Sequence, residues 1–207
     1  MSKLFIDPKQ PLLTCKAQSC EGCPVGEDVV CHFNGSQLIH FLFFMMPAFL
    51  LGGRAIFLSG IPMLLIWIGL IVGYFLFTEI RVMCSHCPHY AEEGASLQCW
   101  ANYGASRLWK YRPGPMSITE KIIFFAGLAL VMLFPMVFFI INTMWFDMIL
   151  YIMIVTAAYL TMRNLMCNHC MNFACPLNIV SKDVREKFFE RNPVVAEAWQ
   201  SDIDISE

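Results

Sequence analysis

The sequence predicts an all-α membrane protein in which four transmembrane helices form two tandem hairpins and a cysteine-rich cytoplasmic part binds metal. The chain of 207 residues is 57% hydrophobic and only 14% charged, whereas a soluble domain carries about a quarter charged residues. Four long apolar stretches recur along the chain, and its 10 cysteines all lie outside them. The net charge of −2 is not the strong positive charge that is typical of proteins that bind nucleic acid, so nucleic acid is not an expected partner.

Each of the four apolar stretches is long enough to cross a bilayer, because about 20 helical residues span a hydrocarbon core of about 30 Å. They cover residues 37–58, 61–80, 122–142 and 144–162. Local signals mark two of the starts. Pro62 suits a first helical turn, and Ser117 with Glu120 forms a capping box just before the third stretch.

The distribution of Lys and Arg predicts that both termini and the middle loop are cytoplasmic. Of the 14 Lys and Arg residues, all but Arg54 fall in residues 1–36, 81–121 and 163–207, and basic residues are concentrated in cytoplasmic segments. The predicted organisation is a cysteine-rich N-terminal segment, a hairpin, a loop, a second hairpin and a tail, covering residues 1–36, 37–80, 81–121, 122–162 and 163–207. We expect a multi-pass protein of the inner (cytoplasmic) membrane in contact with lipid.

All 10 cysteines lie in the three predicted cytoplasmic segments. They are Cys15, Cys20, Cys23, Cys31, Cys84, Cys87, Cys99, Cys167, Cys170 and Cys175. The cytosol keeps thiols reduced, so clustered cysteines there hold a metal or perform redox chemistry more often than they form disulfides. Each of the cysteines is therefore a candidate cofactor ligand.

An internal repeat links the two hairpins. Residues 83–87 read Met-Cys-Ser-His-Cys and residues 166–170 read Met-Cys-Asn-His-Cys, each after the second span of a hairpin. Tandem hairpins commonly pack about a pseudo-twofold axis along the membrane normal, which would bring the two motifs together. The predicted metal ligands are Cys84, Cys87, Cys167, Cys170, His86 and His169. They could form one shared site, or Cys99 and Cys175 could complete two separate sites.

The cysteine spacing favours one or more iron–sulfur clusters, with zinc as the alternative. Cys15, Cys20 and Cys23 reproduce the start of the plant-type ferredoxin spacing, and residues 167–175 show that spacing reversed. Three cysteines directly precede proline, as does the last cysteine of the bacterial ferredoxin run; they are Cys23, Cys87 and Cys175. Structural zinc sites use similar pairs of cysteines, so the sequence leaves both metals open.

Three functions fit these motifs. The first is an integral membrane iron–sulfur protein that passes electrons between a cytosolic donor and a quinone or redox partner subunit, as an oxidoreductase or its electron-transfer subunit. The second is a soft-metal transporter or metal-handling protein, since thiolate and thioether ligands suit copper(I), zinc and mercury. The third is a membrane thiol–disulfide oxidoreductase in which a cation such as Arg81 lowers a thiol pKa. An oligomer is compatible with each function.

The remaining polar features are expected to be structural. Residues 102–115 mix cations with aromatic side chains and are expected to rest against anionic lipid or to clamp a quinone-like headgroup. Glu79 and Asp147 lie near the ends of spans, where we expect both to reach water. The tail is predicted to form two short amphipathic helices over residues 181–199, the second starting at Pro193.

Overall fold

Four helices of the computed structural model are long and apolar enough to cross a membrane, so the chain is a multi-pass membrane protein. The structure describes residues 22–31, 33, 35–91 and 95–204. The spans are Gly35–Phe57, Ile61–His86, Ile118–Ile141 and Trp145–Cys167. The prediction of an all-α chain with four spans is confirmed. The predictions for Cys15 and Cys20 concern residues outside the described ranges.

Within those ranges the chain forms seven α-helices, joined by short π-helical and 3₁₀-helical turns and by loops. They are α1 (Gly35–Phe57), α2 (Ile61–Val72), α3 (Glu79–Val82), α4 (Ile118–Ile141), α5 (Trp145–Met162), α6 (Lys182–Arg191) and α7 (Pro193–Asp204). The π-helical segment Gly73–Thr78 joins α2 to α3, and the π-helical segment Arg163–Cys167 extends α5. The second and fourth spans therefore run past their predicted ends, and each includes the first cysteine of a motif, Cys84 or Cys167.

Helix α1 packs against α2, α4 and α5. Polar contacts also join the helices at the end of the bundle away from the cysteines. Asn142 Nδ2 donates to the Ala55 carbonyl at 3.0 Å and to the Ser59 hydroxyl at 2.9 Å. Arg54 Nη1 forms an ion pair with Asp147 Oδ1 at 2.9 Å. These contacts hold the end of α1 against the end of α4 and the start of α5.

The predicted helix starts are confirmed. Ser117 Oγ accepts a hydrogen bond from the Glu120 amide at 3.3 Å, and Glu120 Oε2 accepts one from the Ser117 amide at 3.0 Å. Pro62 lies in the first turn of α2. In the tail, the Ser181 hydroxyl caps α6 and Pro193 begins α7, so the two predicted short helices are present. These signals are local, which is why the sequence alone predicts them.

Gly127 on α4 lies directly against the ring of Tyr74, and a Cβ atom at this position would clash with that ring. The ring cannot easily move, because the Tyr74 hydroxyl donates to the Phe124 carbonyl at 2.8 Å. We expect Gly127→Ala to lower the free energy of unfolding by about 1–3 kcal/mol, as overpacking does. Gly69→Ala on α2 is the matched control, since nothing lies within 4 Å of its added Cβ. Thermal unfolding of the two variants in one detergent tests this, and equal midpoints would contradict it.

Candidate metal centre

A cavity at the cysteine-bearing end of the bundle is lined by six cysteines from three stretches of the chain. They are Cys84, Cys87, Cys99, Cys167, Cys170 and Cys175, and we term this space the thiol cavity. Its volume is about 530 Å³, within the range of about 300–1,000 Å³ typical of ligand sites. The structure therefore brings both Met-Cys-x-His-Cys motifs to one cavity, together with one cysteine of the loop and one of the tail.

The two motifs form the same turn at the end of a span. The His86 amide donates to the Met83 carbonyl at 3.1 Å, and the His169 amide donates to the Met166 carbonyl at 3.1 Å. The turn is formed by the last residues of the span in the first repeat, and it begins one residue before the end of the span in the second. Both cysteines of each motif consequently line the thiol cavity.

The motif histidines have structural contacts and are not among the residues that line the thiol cavity. Nδ1 of His86 donates to the Gly114 carbonyl at 3.1 Å, and Nδ1 of His169 donates to the Asp28 carbonyl at 3.0 Å. Because a carbonyl only accepts, Nδ1 carries the proton in each ring. Nothing in these placements supports the predicted ligand roles of the two histidines. His89, which the sequence pattern does not single out, does line the cavity.

A separate segment of the chain covers each motif. The Val30 amide of the N-terminal segment donates to the His169 carbonyl at 2.8 Å, and the Arg112 amide of the loop donates to the Ser85 carbonyl at 2.8 Å. Main-chain hydrogen bonds of this kind fix one backbone against another without constraining the side chains. The N-terminal segment and the loop thus occupy corresponding places on the two repeats.

The described cysteines of the N-terminal segment lie outside the lining of the thiol cavity. Cys31 is buried in an apolar cluster that also contains Cys87. Cys23 Sγ accepts a hydrogen bond from Arg191 Nη1 at 3.0 Å. Among the described residues no disulfide is present.

Cys99 and Cys175 line the thiol cavity together with the cysteines of both motifs. Both are near enough to Cys84 of the first motif and Cys170 of the second to disfavour a thiolate there. In the described part of the chain, no three Cys, His, Asp or Glu side chains converge closely enough to hold a single ion. The thiols therefore share one cavity without meeting at one point.

Desolvation changes the chemistry of the tail thiols. Burial of the sulfur and the neighbouring Cys99 raise the pKa of Cys170 well above its usual range, and burial raises the pKa of Cys175 to about 12. Both thiols are therefore protonated near neutral pH unless a cation compensates the thiolate charge. Because metal ligation requires the thiolate, a metal that binds here must displace those protons.

Two buried oxygen atoms of the cavity wall have no hydrogen-bond partner. Glu79 is only 7% exposed and its Oε2 is unsatisfied, and Asn172 is 5% exposed with an unsatisfied Oδ1. Both residues line the thiol cavity. The expectation that Glu79 reaches water was wrong, because the span continues to His86 and keeps this residue inside the helix. An acidic residue within a span was the signal that could have identified it.

Glu120, in the first turn of α4, binds the loop through an ion pair with Arg112. Its Oε1 accepts from Arg112 Nη1 at 2.6 Å, and its Oε2 lies 3.4 Å from Nε2 of His86. Arg81 Nη1 lies 3.7 Å from the same carboxylate, with its guanidinium over the Trp109 ring. Arg81, expected to be a cation beside a thiol, is therefore engaged with Glu120 and Trp109.

We expect Glu120→Gln to lower the free energy of unfolding by about 1–3 kcal/mol, because the Arg112 guanidinium loses its charged hydrogen-bond partner. Thr119→Ala is the matched control, since Thr119 is an exposed neighbour in the same turn. Thermal unfolding of both variants checks the prediction. If Glu120→Gln unfolds at the temperature of the control, the carboxylate does not hold the loop.

The donor set of the thiol cavity suits a metal–thiolate group. Cysteine thiolates hold iron–sulfur clusters, and the same side chains hold structural zinc. Six thiols exceed the four that either group requires, so the residues present fit such a group. Comparison of the chain with protein-family models, with curated proteins and with solved structures finds no match.

Proposed function

We propose that the chain is an integral membrane iron–sulfur protein that passes electrons between a cytosolic donor and an acceptor in the membrane. The observation that carries the proposal is the thiol cavity, which six cysteines of the loop and the tail line beside the membrane helices. Cys84 and Cys170 each interact with both Cys99 and Cys175. These four cysteines are therefore the first candidates for the cluster ligands.

The chain's own side chains bind the cluster, exclude water from it and tune it. Asn102 Nδ2 donates to Cys84 Sγ at 3.3 Å, and hydrogen bonds to ligand sulfur adjust the reduction potential of a cluster. Buried Leu97 and Phe124 belong to the apolar wall, which keeps the local dielectric low. When bound, the cluster supplies one-electron chemistry.

We place the thiol cavity on the cytoplasmic side of the inner membrane. Lys and Arg are concentrated in the segments that carry the cysteines, as is typical of cytoplasmic loops. Four crossings return the chain to the side on which it starts, so the three cysteine-bearing segments share that side. The reducing cytosol would keep their thiols available for a metal.

Anaerobic purification followed by iron and acid-labile sulfide analysis tests this proposal. We expect a coloured protein that contains both iron and sulfide in a fixed ratio to the chain. A colourless protein with stoichiometric zinc would overturn the proposal and favour a structural zinc site in the same cavity.

A second function, the handling of a soft metal ion, is favoured by methionines in the same cavity wall. The five are Met45, Met46, Met83, Met132 and Met162. Thioether and thiolate ligands together suit copper(I), and these side chains extend the sulfur lining along the spans beyond the cysteines. Uptake of labelled copper(I) into vesicles, with Met132→Leu as a volume-conserving variant, tests this function. Uptake that is unchanged by Cys84→Ser would count against it.

A further inference from the structure

We propose that the thiol cavity binds a quinone-type isoprenoid lipid in its quinol form, with Glu79 and Asn172 hydrogen-bonded to the ring hydroxyls. The inference rests on the proposed function, in which the acceptor lies in the membrane. It adds the chemical class of that acceptor, a quinone, and the side chains that hold its product after uptake of two electrons and two protons, the quinol.

The thiol cavity continues from the cysteines into the helix bundle. Its wall there is apolar and aromatic, and is built by the first half of α1, the π-helical segment before α3 and the first half of α4. Its lining residues include Phe41, Phe49, Phe75, Phe124 and Leu128. Aromatic side chains pack well against a flat ring and provide no competing polar groups. This part of the cavity suits an apolar ring more than a hydrated ion.

The cavity reaches the lipid-facing surface of the bundle. Leu42 and Met46 of α1 line it and are 48% and 54% exposed, and Leu76 of the second span lines it and is 46% exposed. All three lie within membrane spans. A ligand can therefore enter sideways from the bilayer, with an isoprenoid tail left among the lipids.

Two unsatisfied polar side chains of the cavity lining indicate what the ligand must carry. Glu79 Oε2 and Asn172 Oδ1 are buried without a hydrogen-bond partner, and leaving a buried oxygen unsatisfied is unfavourable. A ligand with hydroxyl groups, which both donate and accept hydrogen bonds, satisfies these atoms, whereas an alkyl chain does not. A quinol carries two hydroxyl groups on one apolar ring, one for each of the two side chains.

The location beside the thiols favours a redox lipid over other hydroxyl-bearing lipids. Glu79 interacts electrostatically with Cys84 and Cys175, so a ring that contacts Glu79 is adjacent to the thiols proposed to hold the cluster. A sterol or a diacylglycerol also carries hydroxyl groups that could bond to Glu79 and Asn172, but neither lipid exchanges electrons with a cluster held by those thiols.

The test uses the full chain, purified anaerobically and reconstituted in phosphatidylcholine nanodiscs, with a photoreactive azido-benzoquinol bearing a decyl tail. We expect labelling of α1 and of the second span, competed by unlabelled decyl-benzoquinol. Glu79→Gln should weaken competition about tenfold, which corresponds to about 1.4 kcal/mol. Leu128→Trp should abolish labelling by filling the cavity, whereas Leu130→Trp, on the exposed side of the same helix, should not.

Iron and sulfide are measured on every sample, so that the two proposals fail separately. Absence of labelling in protein that contains iron and sulfide would overturn the quinol site and leave the iron–sulfur proposal intact. Labelling in protein that never contains iron would retain the site and overturn the iron–sulfur proposal. Equal competition by palmitate would show a general lipid slot and overturn the quinol assignment, as would equal labelling of Leu128→Trp and Leu130→Trp.

Discussion

Replacement of Cys99 or Cys175 by Ser should remove most of the iron and sulfide from the purified protein. Each of these thiols lines the thiol cavity together with cysteines of both motifs, so the loss of either one removes a candidate ligand of the cluster. Loss of an outer-shell partner lowers metal affinity by roughly 10- to 100-fold. Loss of a ligand itself should lower the affinity at least as much. Iron and sulfide per chain, measured after anaerobic purification, check this result.

Cys23→Ser is the matched control for these variants. Its sulfur accepts a hydrogen bond from Arg191 and does not line the thiol cavity. It should leave the iron of the cavity in place. If Cys99→Ser and Cys175→Ser keep full iron, the ligands belong to the two motifs alone. If only Cys23→Ser loses all iron, the site lies in the N-terminal segment.

Removal of the metal should loosen the covering segments while the spans stay folded. Structural metal binding contributes directly to folding free energy. A ligand whose free concentration is a thousand times its dissociation constant stabilises the folded state by about 4 kcal/mol. We therefore expect residues 95–116 and 22–31 to exchange amide hydrogens much faster after chelation. Helices α1, α4 and α5 should exchange at unchanged rates, because α1 packs along both α4 and α5 and polar contacts at the far end of the bundle hold these helices together without a metal.

Hydrogen exchange followed by mass spectrometry measures both sets of amides in one experiment. The Val30 and Arg112 amides are the most informative positions, because they donate to the motif backbones at His169 and Ser85. Unchanged exchange at both amides after complete metal removal would show that main-chain pairing and apolar packing hold these segments without a metal.

The spans and caps were predictable from the sequence because their causes are local. Hydropathy locates a membrane helix within its own residues, and Ser117 with Glu120 satisfies the amides of its own turn. The helices of the second and fourth spans extend past residues 80 and 162, where the predicted apolar stretches end. In the structure the helices continue through π-helical turns as far as the first cysteine of each motif.

The candidate site was predictable only in part, since it depends on which segments meet. The repeat indicates that Cys84 and Cys167 occupy corresponding places, but not that Cys99 and Cys175 lie between the motifs. The hydrogen bonds of His86 and His169 to carbonyls distant in sequence carry no local signal. The same holds for the burial of Glu79, which results from the continuation of the span. Tertiary packing, not residue pattern, decides each of these points.

X-ray absorption spectroscopy at the iron and zinc edges of the anaerobically purified protein tests the central claim most directly. If the protein holds an iron–sulfur cluster, we expect a strong iron edge with a sulfur-only first shell and a second shell of neighbouring iron, because bridging sulfide holds the metals of a cluster together. That signal should disappear in the Cys99→Ser variant and persist in Cys23→Ser. A zinc edge with four sulfur ligands at about 2.3 Å, in protein without iron, would contradict it.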